Sequence, residues 1–274
     1  MILRRLVLAS VTLALVFGAF AAPASAQAEP PPPVVWFYEM TVDIPHNPAF
    51  VEGMEGWMER IADDGETWTW NVFESFTGPP KYVVMTPWHD FADFDRGPIV
   101  GEARTEENDE WFQENLAPHF RDPVSVMMVA RDELSVAIEM GDEPPRFWNV
   151  IEWERTDGSA EAFMALTNAF AKVREGFEAA NAQAVAAGEE ASGYNVFDVI
   201  YTEGPGRVMV ALPFNEFADL DGGDPLGFFN AMVATHGHED AVVIERVFAK
   251  YLKQVRNHIW VHRTDLSHMP DPGM

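Results

Sequence analysis

The 274-residue chain contains no cysteine. That absence excludes disulfides, thiolate metal sites, iron–sulfur clusters, a cysteine nucleophile and a lipidated N-terminal cysteine. Basic residues are scarce: 18 Lys and Arg face 44 Asp and Glu, a formal charge of −26. A surface this acidic repels phosphate backbones and anionic lipid, which argues against nucleic acid and membrane surfaces as partners. The sequence has no G-x-S-x-G elbow, Walker loop, G-x-G-x-x-G turn or H-E-x-x-H helix, so serine hydrolase, nucleotide-dependent and zincin chemistries drop out. Beyond the N-terminus no apolar run is long enough to span a bilayer. Apolar material is plentiful: 47% of residues are hydrophobic, with 20 Phe, 13 Met and 9 Trp. That suffices for a sizeable core in one large domain or two smaller ones, and it suits a hydrophobic ligand pocket as well as plain packing.

The first five residues are short and basic, Leu6 to Ala22 is uncharged and apolar, and Ala24-Ser25-Ala26 supplies the small residues of a cleavage site. Residues 1–26 are therefore expected to be a secretory signal peptide, cut before Gln27. Its loss removes Arg4 and Arg5 and no acid, so 16 basic residues would face 44 acidic ones, a charge of −28. Residues 27–33, with four consecutive prolines, read as a stiff extended tether. The expected product is exported, periplasmic or extracellular, with no membrane insertion once the leader is gone.

Internal similarity organises the rest. Thr86 to Gly97 reads TPWHDFADFDRG and Leu212 to Gly223 reads LPFNEFADLDGG; six of the twelve positions are identical. The likeness continues in order. Glu39 matches Glu152, Asn71-Val72-Phe73 matches Asn195-Val196-Phe197, and Arg131, Leu134 and Ser135 match Arg263, Leu266 and Ser267. The shift grows along the chain, which places insertions in the second copy, chiefly around residues 180–192. The copies span residues 34–140 and 146–268, joined by a linker at 141–145 and followed by a tail at 269–274.

Both copies predict the same elements. Val34–Val42 has β-branched and aromatic strand composition. Asn47-Pro48 offers a cap and a first-turn proline, and Phe50, Met54, Trp57 and Ile61 fall on one helical face. Strands at 68–76 and 81–87, a helix at 106–117 and a strand at 124–131 follow. The second copy repeats the series at 147–155, 160–185 (with Phe163, Leu166, Phe170, Val173 and Phe177 on one face), 194–201, 207–213, a helix within 241–252, and 257–263.

The order β-α-β-β-α-β is the ferredoxin-like split unit. A lone unit leaves the open face of its sheet apolar and wet, and two in one chain can bury those faces together. In element order and duplication the chain resembles the dimeric α+β barrel superfamily, with both halves fused in tandem and packed sheet to sheet. That superfamily includes antibiotic-biosynthesis-type monooxygenases, NIPSNAP-like and EthD-like proteins, stress-responsive barrels and haem proteins of the chlorite dismutase type. The resemblance implies a small apolar or aromatic ligand held between a sheet and its helices. It admits a cofactor-independent oxygenase, a non-catalytic binding or stress-related protein, and a haem protein using a single His. No cofactor is required by the first two. Because both halves share one chain, a monomer is expected to suffice.

Glu39 and Glu152, repeated inside first strands, are either general bases or partners of an Arg such as Arg131 or Arg263. Asn71 and Asn195 lie on second strands. Asn71 shares a face with Phe73, and Asn195 shares one with Phe197 and Tyr201; each face is a ligand wall or ordinary hydrogen-bonded sheet. Asn71 and Glu74 are three apart and point to opposite faces. His258, Trp260 and His262 alternate on the last strand where the first copy has Val126, Met128 and Ala130. Packing alone would have kept aliphatics, so these three form the sharpest site signal, as acid/base groups with a stacking wall or as a haem ligand; the alternative is a half-exposed edge strand or satisfied core histidines. Four residues of strand separate the two His by about 13 Å, too far to share one ion. His236-Gly237-His238-Glu239-Asp240 suits a solvated loop entering a helix, and no metal is assigned. His89 and Asp90, with Asn215 and Glu216 as counterparts, sit at strand ends. There, Phe91 and Phe217 are expected to plug the core.

Overall fold

The computed structural model describes residues 34–65, 69–88, 105–136, 144–188, 191–200, 206–217 and 227–268. The expected signal peptide, tether and tail, most of the linker, Tyr201, His89, Asp90, Phe91 and most of the repeated Phe-Ala-Asp loop lie outside them. Among the described residues there are eight strands: β1 (Val34–Thr41), β2 (Asn71–Ser75), β3 (Lys81–Trp88), β4 (Arg121–Ala130), β5 (Phe147–Arg155), β6 (Asn195–Ile200), β7 (Arg207–Phe214) and β8 (Leu252–His262). Five α-helices accompany them: α1 (Asn47–Asp63), α2 (Glu106–Asn115), α3 (Ala160–Ala187), α4 (Gly227–His236) and α5 (His238–Tyr251). No helix among them is long and apolar enough to cross a membrane.

The helices start and stop for local reasons. Thr105 and Ser159 cap α2 and α3, each hydroxyl accepting from the backbone N–H three residues on, at 3.1 Å. Gly188 ends α3 in the left-handed region, φ 79°, where a side chain would be strained. On α1 the predicted face is the buried one: Phe50, Met54, Trp57 and Ile61 all lie against the sheet. Asn47 does not cap α1. Its side chain instead accepts from the Tyr82 hydroxyl at 2.9 Å, fixing the helix to β3. On α3 the face shifts by one position at its start: Ala162 is buried, while Phe163 is half-exposed beneath the guanidinium groups of Arg131 and Arg155.

Within each half the strands run β4-β1-β3-β2 and β8-β5-β7-β6, all antiparallel. β4 then pairs with β6, and β2 with β8, so the two sheets join edge to edge and close one eight-stranded barrel. The inner sheet faces meet across the lumen, and the helices cover the outside. Closure removes the free edges that would template unwanted pairing. β8 begins at Leu252, five residues before the expected start, because it pairs along the whole of β5 to Arg155.

The seams repeat each other. The Arg131 N–H donates to the Val196 carbonyl at 2.9 Å, and the Arg263 N–H to the Val72 carbonyl at 2.8 Å. Ser135 Oγ accepts from the Val196 N–H, and Ser267 Oγ from the Val72 N–H, both at 2.9 Å. The Arg131 guanidinium pairs with Asp198, and that of Arg263 with Glu74 at 2.6 Å. Leu134 and Leu266 are buried in the turns between. The repeated Arg-x-x-Leu-Ser thus clasps the opposite half twice, as a two-fold dimer interface would.

Ser135→Ala and Ser267→Ala are each expected to cost about 1–2 kcal/mol, by orphaning one buried N–H apiece. Urea unfolding should show losses of similar size, and light scattering should show a monomer. An obligate dimer would contradict intramolecular closure.

Candidate functional site

Alternation along the strands sorts every side chain to the lumen or the helices. Glu39, Glu152, His258, Trp260, Phe73, Asn195 and Phe197 all line cavities of the lumen. His262 stacks on Phe73, and Asn71 shares the face of Phe73. These strand residues therefore face one interior. That interior is nearly full. Phe37, Met85, Met128, Trp148, Val150 and Met209 pack against them, leaving voids of about 60 and 80 Å³. An eight-stranded barrel is just wide enough for its side chains to fill.

One end of the lumen is charged. Glu39 pairs with Lys81 through one oxygen and with Arg256 Nη1 through the other, at 3.0 Å. Glu152 takes Arg207 at 2.9 Å and lies 3.7 Å from Arg256 Nε. Arg131 and Arg263, expected as partners, instead hold Asp198 and Glu74 on the outer surface. Both lumen carboxylates are engaged by cations, an arrangement of counter-ions rather than of a base open to substrate.

At the other end His262 is buried, its ring stacked on Phe73 at 4.9 Å. Neither nitrogen makes a regular hydrogen bond, although the ring faces the Pro145 carbonyl. Burial holds the imidazole below its ordinary value of 6.5. His258 stands apart, edge-on to Trp260 at 5.9 Å. Among the described residues no three His or carboxylate side chains converge as a metal would require. The expected loop at residues 236–240 is helical except at Gly237: His236 ends α4, where its ring meets the Lys172 carbonyl at 2.9 Å, and His238 begins α5. Phe217 does not plug the core. It is half-exposed and caps the barrel end with Phe76, Phe147 and Phe214.

The larger opening lies on the outer side of the second sheet. Between β5, β6, β7 and helices α3–α5 there is a cavity of about 330 Å³. Ile151, Trp153, Phe170, Phe229, Met232 and Phe248 form most of its wall, with Glu245 and Tyr194 as its ionisable groups. Burial pushes the Tyr194 phenol well above its usual range, so it stays neutral. In the first half the corresponding space is closed by Met54, Trp57, Met58, Trp70 and Leu116. In the second half Phe229 and Met232 of α4 stand on the cavity wall. Phe229, Met232, Val233 and His236 follow helical spacing, a signal present in the sequence but overlooked beside the stronger stripe of α5.

Haem does not fit the residues described. The sheet–helix cavity has no His on its wall, and His258 borders a lumen void far too small for a macrocycle.

No family model matches the chain, and no curated protein does. Among solved structures, an anthrone oxidase-like protein aligns at 14% identity over 86% of this chain and 92% of its own, with a TM-score of 0.52. A candidate monooxygenase from Fusobacterium nucleatum aligns at 8% identity over 88% and 99%, also at 0.52. A chlorite dismutase variant from Candidatus Nitrospira defluvii aligns at 9% identity over 85% and 92%, at 0.50. Identities this low establish the fold alone. The chain has the α+β barrel fold of these proteins, with one eight-stranded barrel closed within a single polypeptide.

The depressed His262 has a signed consequence. Below about pH 6.5 the unfolded chain takes up a proton that the folded ring resists, so this residue lowers stability as the pH falls toward its folded value. His262→Phe is expected to remove that component. Urea midpoints compared above and below this range should fall less in the variant than in the parent; equal falls would show that the ring does not contribute.

Proposed function

We propose that this protein binds one small apolar or aromatic molecule in the cavity between its second sheet and helices α3–α5. The observation that carries the reading is the asymmetry of the two halves. One fold is built twice, its sheet–helix space is filled in the first copy, and about 330 Å³ is left in the second. That volume lies at the lower end of small-molecule sites. The wall is aromatic and aliphatic, so affinity would come from burying ligand surface, with Tyr194 and Glu245 as the polar exceptions. We further place the protein outside the cytoplasm, on the strength of its leader-like first 26 residues.

An oxygenase reading attaches to Glu245. Cofactor-independent attack by dioxygen starts with proton removal from the bound substrate, and Glu245 on α5 is the carboxylate on this wall. Dioxygen uptake with phenolic compounds, lost in Glu245→Gln, would support it. Binding without turnover supports the non-catalytic reading.

The cavity itself is tested by filling it. Met232→Trp is expected to weaken binding of the neutral fluorophore N-phenyl-1-naphthylamine by at least about tenfold, with the circular dichroism spectrum retained. Undiminished binding would move the site elsewhere.

A further inference from the structure

We propose that the charged end of the barrel lumen is a second binding site, for the carboxylate of a short aliphatic acid, formed by Arg207, Arg256 and His258. It lies on the opposite side of the sheet from the cavity described above and does not depend on that reading.

The argument is one of charge in a duplicated structure. Glu39 and Glu152 are equivalent positions, and so are Lys81 and Arg207, one place each on the first and third strands of their halves. Each half therefore supplies one cross-strand ion pair, Glu39 with Lys81 and Glu152 with Arg207. These pairs balance. The second half then adds Arg256 where the first has Val124, and His258 where the first has Val126. Arg256 brings no carboxylate of its own. Its Nη1 leans on Glu39 at 3.0 Å and its Nε on Glu152 at 3.7 Å, so among the described residues three cations share two anions. In a chain with 18 basic residues against 44 acidic ones, an unbalanced cluster of three is conspicuous. A surplus charge removed partly from water is costly unless something neutralises it.

The surplus faces the void of about 80 Å³, whose floor includes Phe37, Val126, Val150, Met209 and Trp260. Arg207 reaches Glu152 through one nitrogen only, and Arg256 through two, leaving guanidinium N–H donors for another pair of oxygens. Both arginine side chains are about 40% exposed, so the mouth is open to a ligand. Two forks and an imidazole over an apolar floor match a carboxylate head with a short hydrocarbon tail. One surplus positive charge selects a monoanion, and the small void suits a short tail.

Titration with butyrate, ionic strength being held constant with chloride, is expected to give a saturable shift of the His258 imidazole resonances, assigned through His258→Asn. Arg207→Gln should weaken binding by about tenfold, the loss expected for one charge-assisted fork. Arg256→Val, which copies the first half's Val124, should abolish the shift. N-phenyl-1-naphthylamine should not compete. A linear shift, an equal response to phosphate, competition by the fluorophore, or binding retained in Arg256→Val would each overturn the proposal. Should Arg207→Gln fail to fold, Arg256→Val decides.

Discussion

Closure of the barrel rests on one contact made twice. A single βαββαβ unit would leave its edge strands with unpaired backbone, β2 and β4 in the first half and β6 and β8 in the second, and the N–H groups of Val72 and Val196 would be among those stranded. The Arg131 and Arg263 turns supply what is missing. Each contributes a backbone donor, a serine acceptor and a guanidinium that grips an acid on the other half. Because the side-chain period of a strand is two, a one-residue slip at either seam would exchange lumen and surface along that strand. The position of every inward group, from Glu39 to His262, is thus set by these turns before any of them packs.

Once the seams are symmetrical, the rest of each half need not be. The first half keeps an aliphatic β4 and fills the space under its helices with Met and Trp. The second half exchanges β4's aliphatic positions for Arg256, His258, Trp260 and His262. It also lays α4 against α3, where Gly176 packs beside the Ala231 carbonyl. α4 contributes Phe229 and Met232 to the cavity wall. Asymmetry on both sides of one sheet comes from the same copy, which is where a function acquired after duplication is to be sought.

Much of this was legible in the sequence. Element order, the repeat, the inward faces and the singular character of β8 all follow from periodicity and self-similarity, which report backbone geometry directly. The partner of Glu39 was misread, although parity held the answer. Residues 258, 260 and 262 point inward, so Arg256 does too, and Arg263 must point out, toward Glu74. What periodicity could not show is depth. Phe163 fits the stripe of α3 yet stands at its exposed start, where two arginines cover it. Nor does a run of apolar residues say whether the space it borders is full. Trp57 and Phe229 look alike in sequence, but one closes a gap and the other lines one.

The distribution of charge ties the two candidate sites to the fold. Six basic side chains serve the barrel itself: Arg131, Arg155 and Arg263 at the seams, and Lys81, Arg207 and Arg256 at the mouth. The helical exterior is acidic, as on α2, where Glu106, Glu107, Asp109, Glu110 and Glu114 crowd together. Such a shell leaves a neutral ligand untouched but repels an anion at long range, by an amount that salt screens over roughly 8–10 Å. At contact the guanidinium forks act within a few ångströms and are screened far less. The same charge pattern therefore treats the two sites differently: the sheet–helix cavity is open to neutral apolar molecules at any ionic strength, whereas an acid reaches the lumen mouth more readily in salt than in its absence.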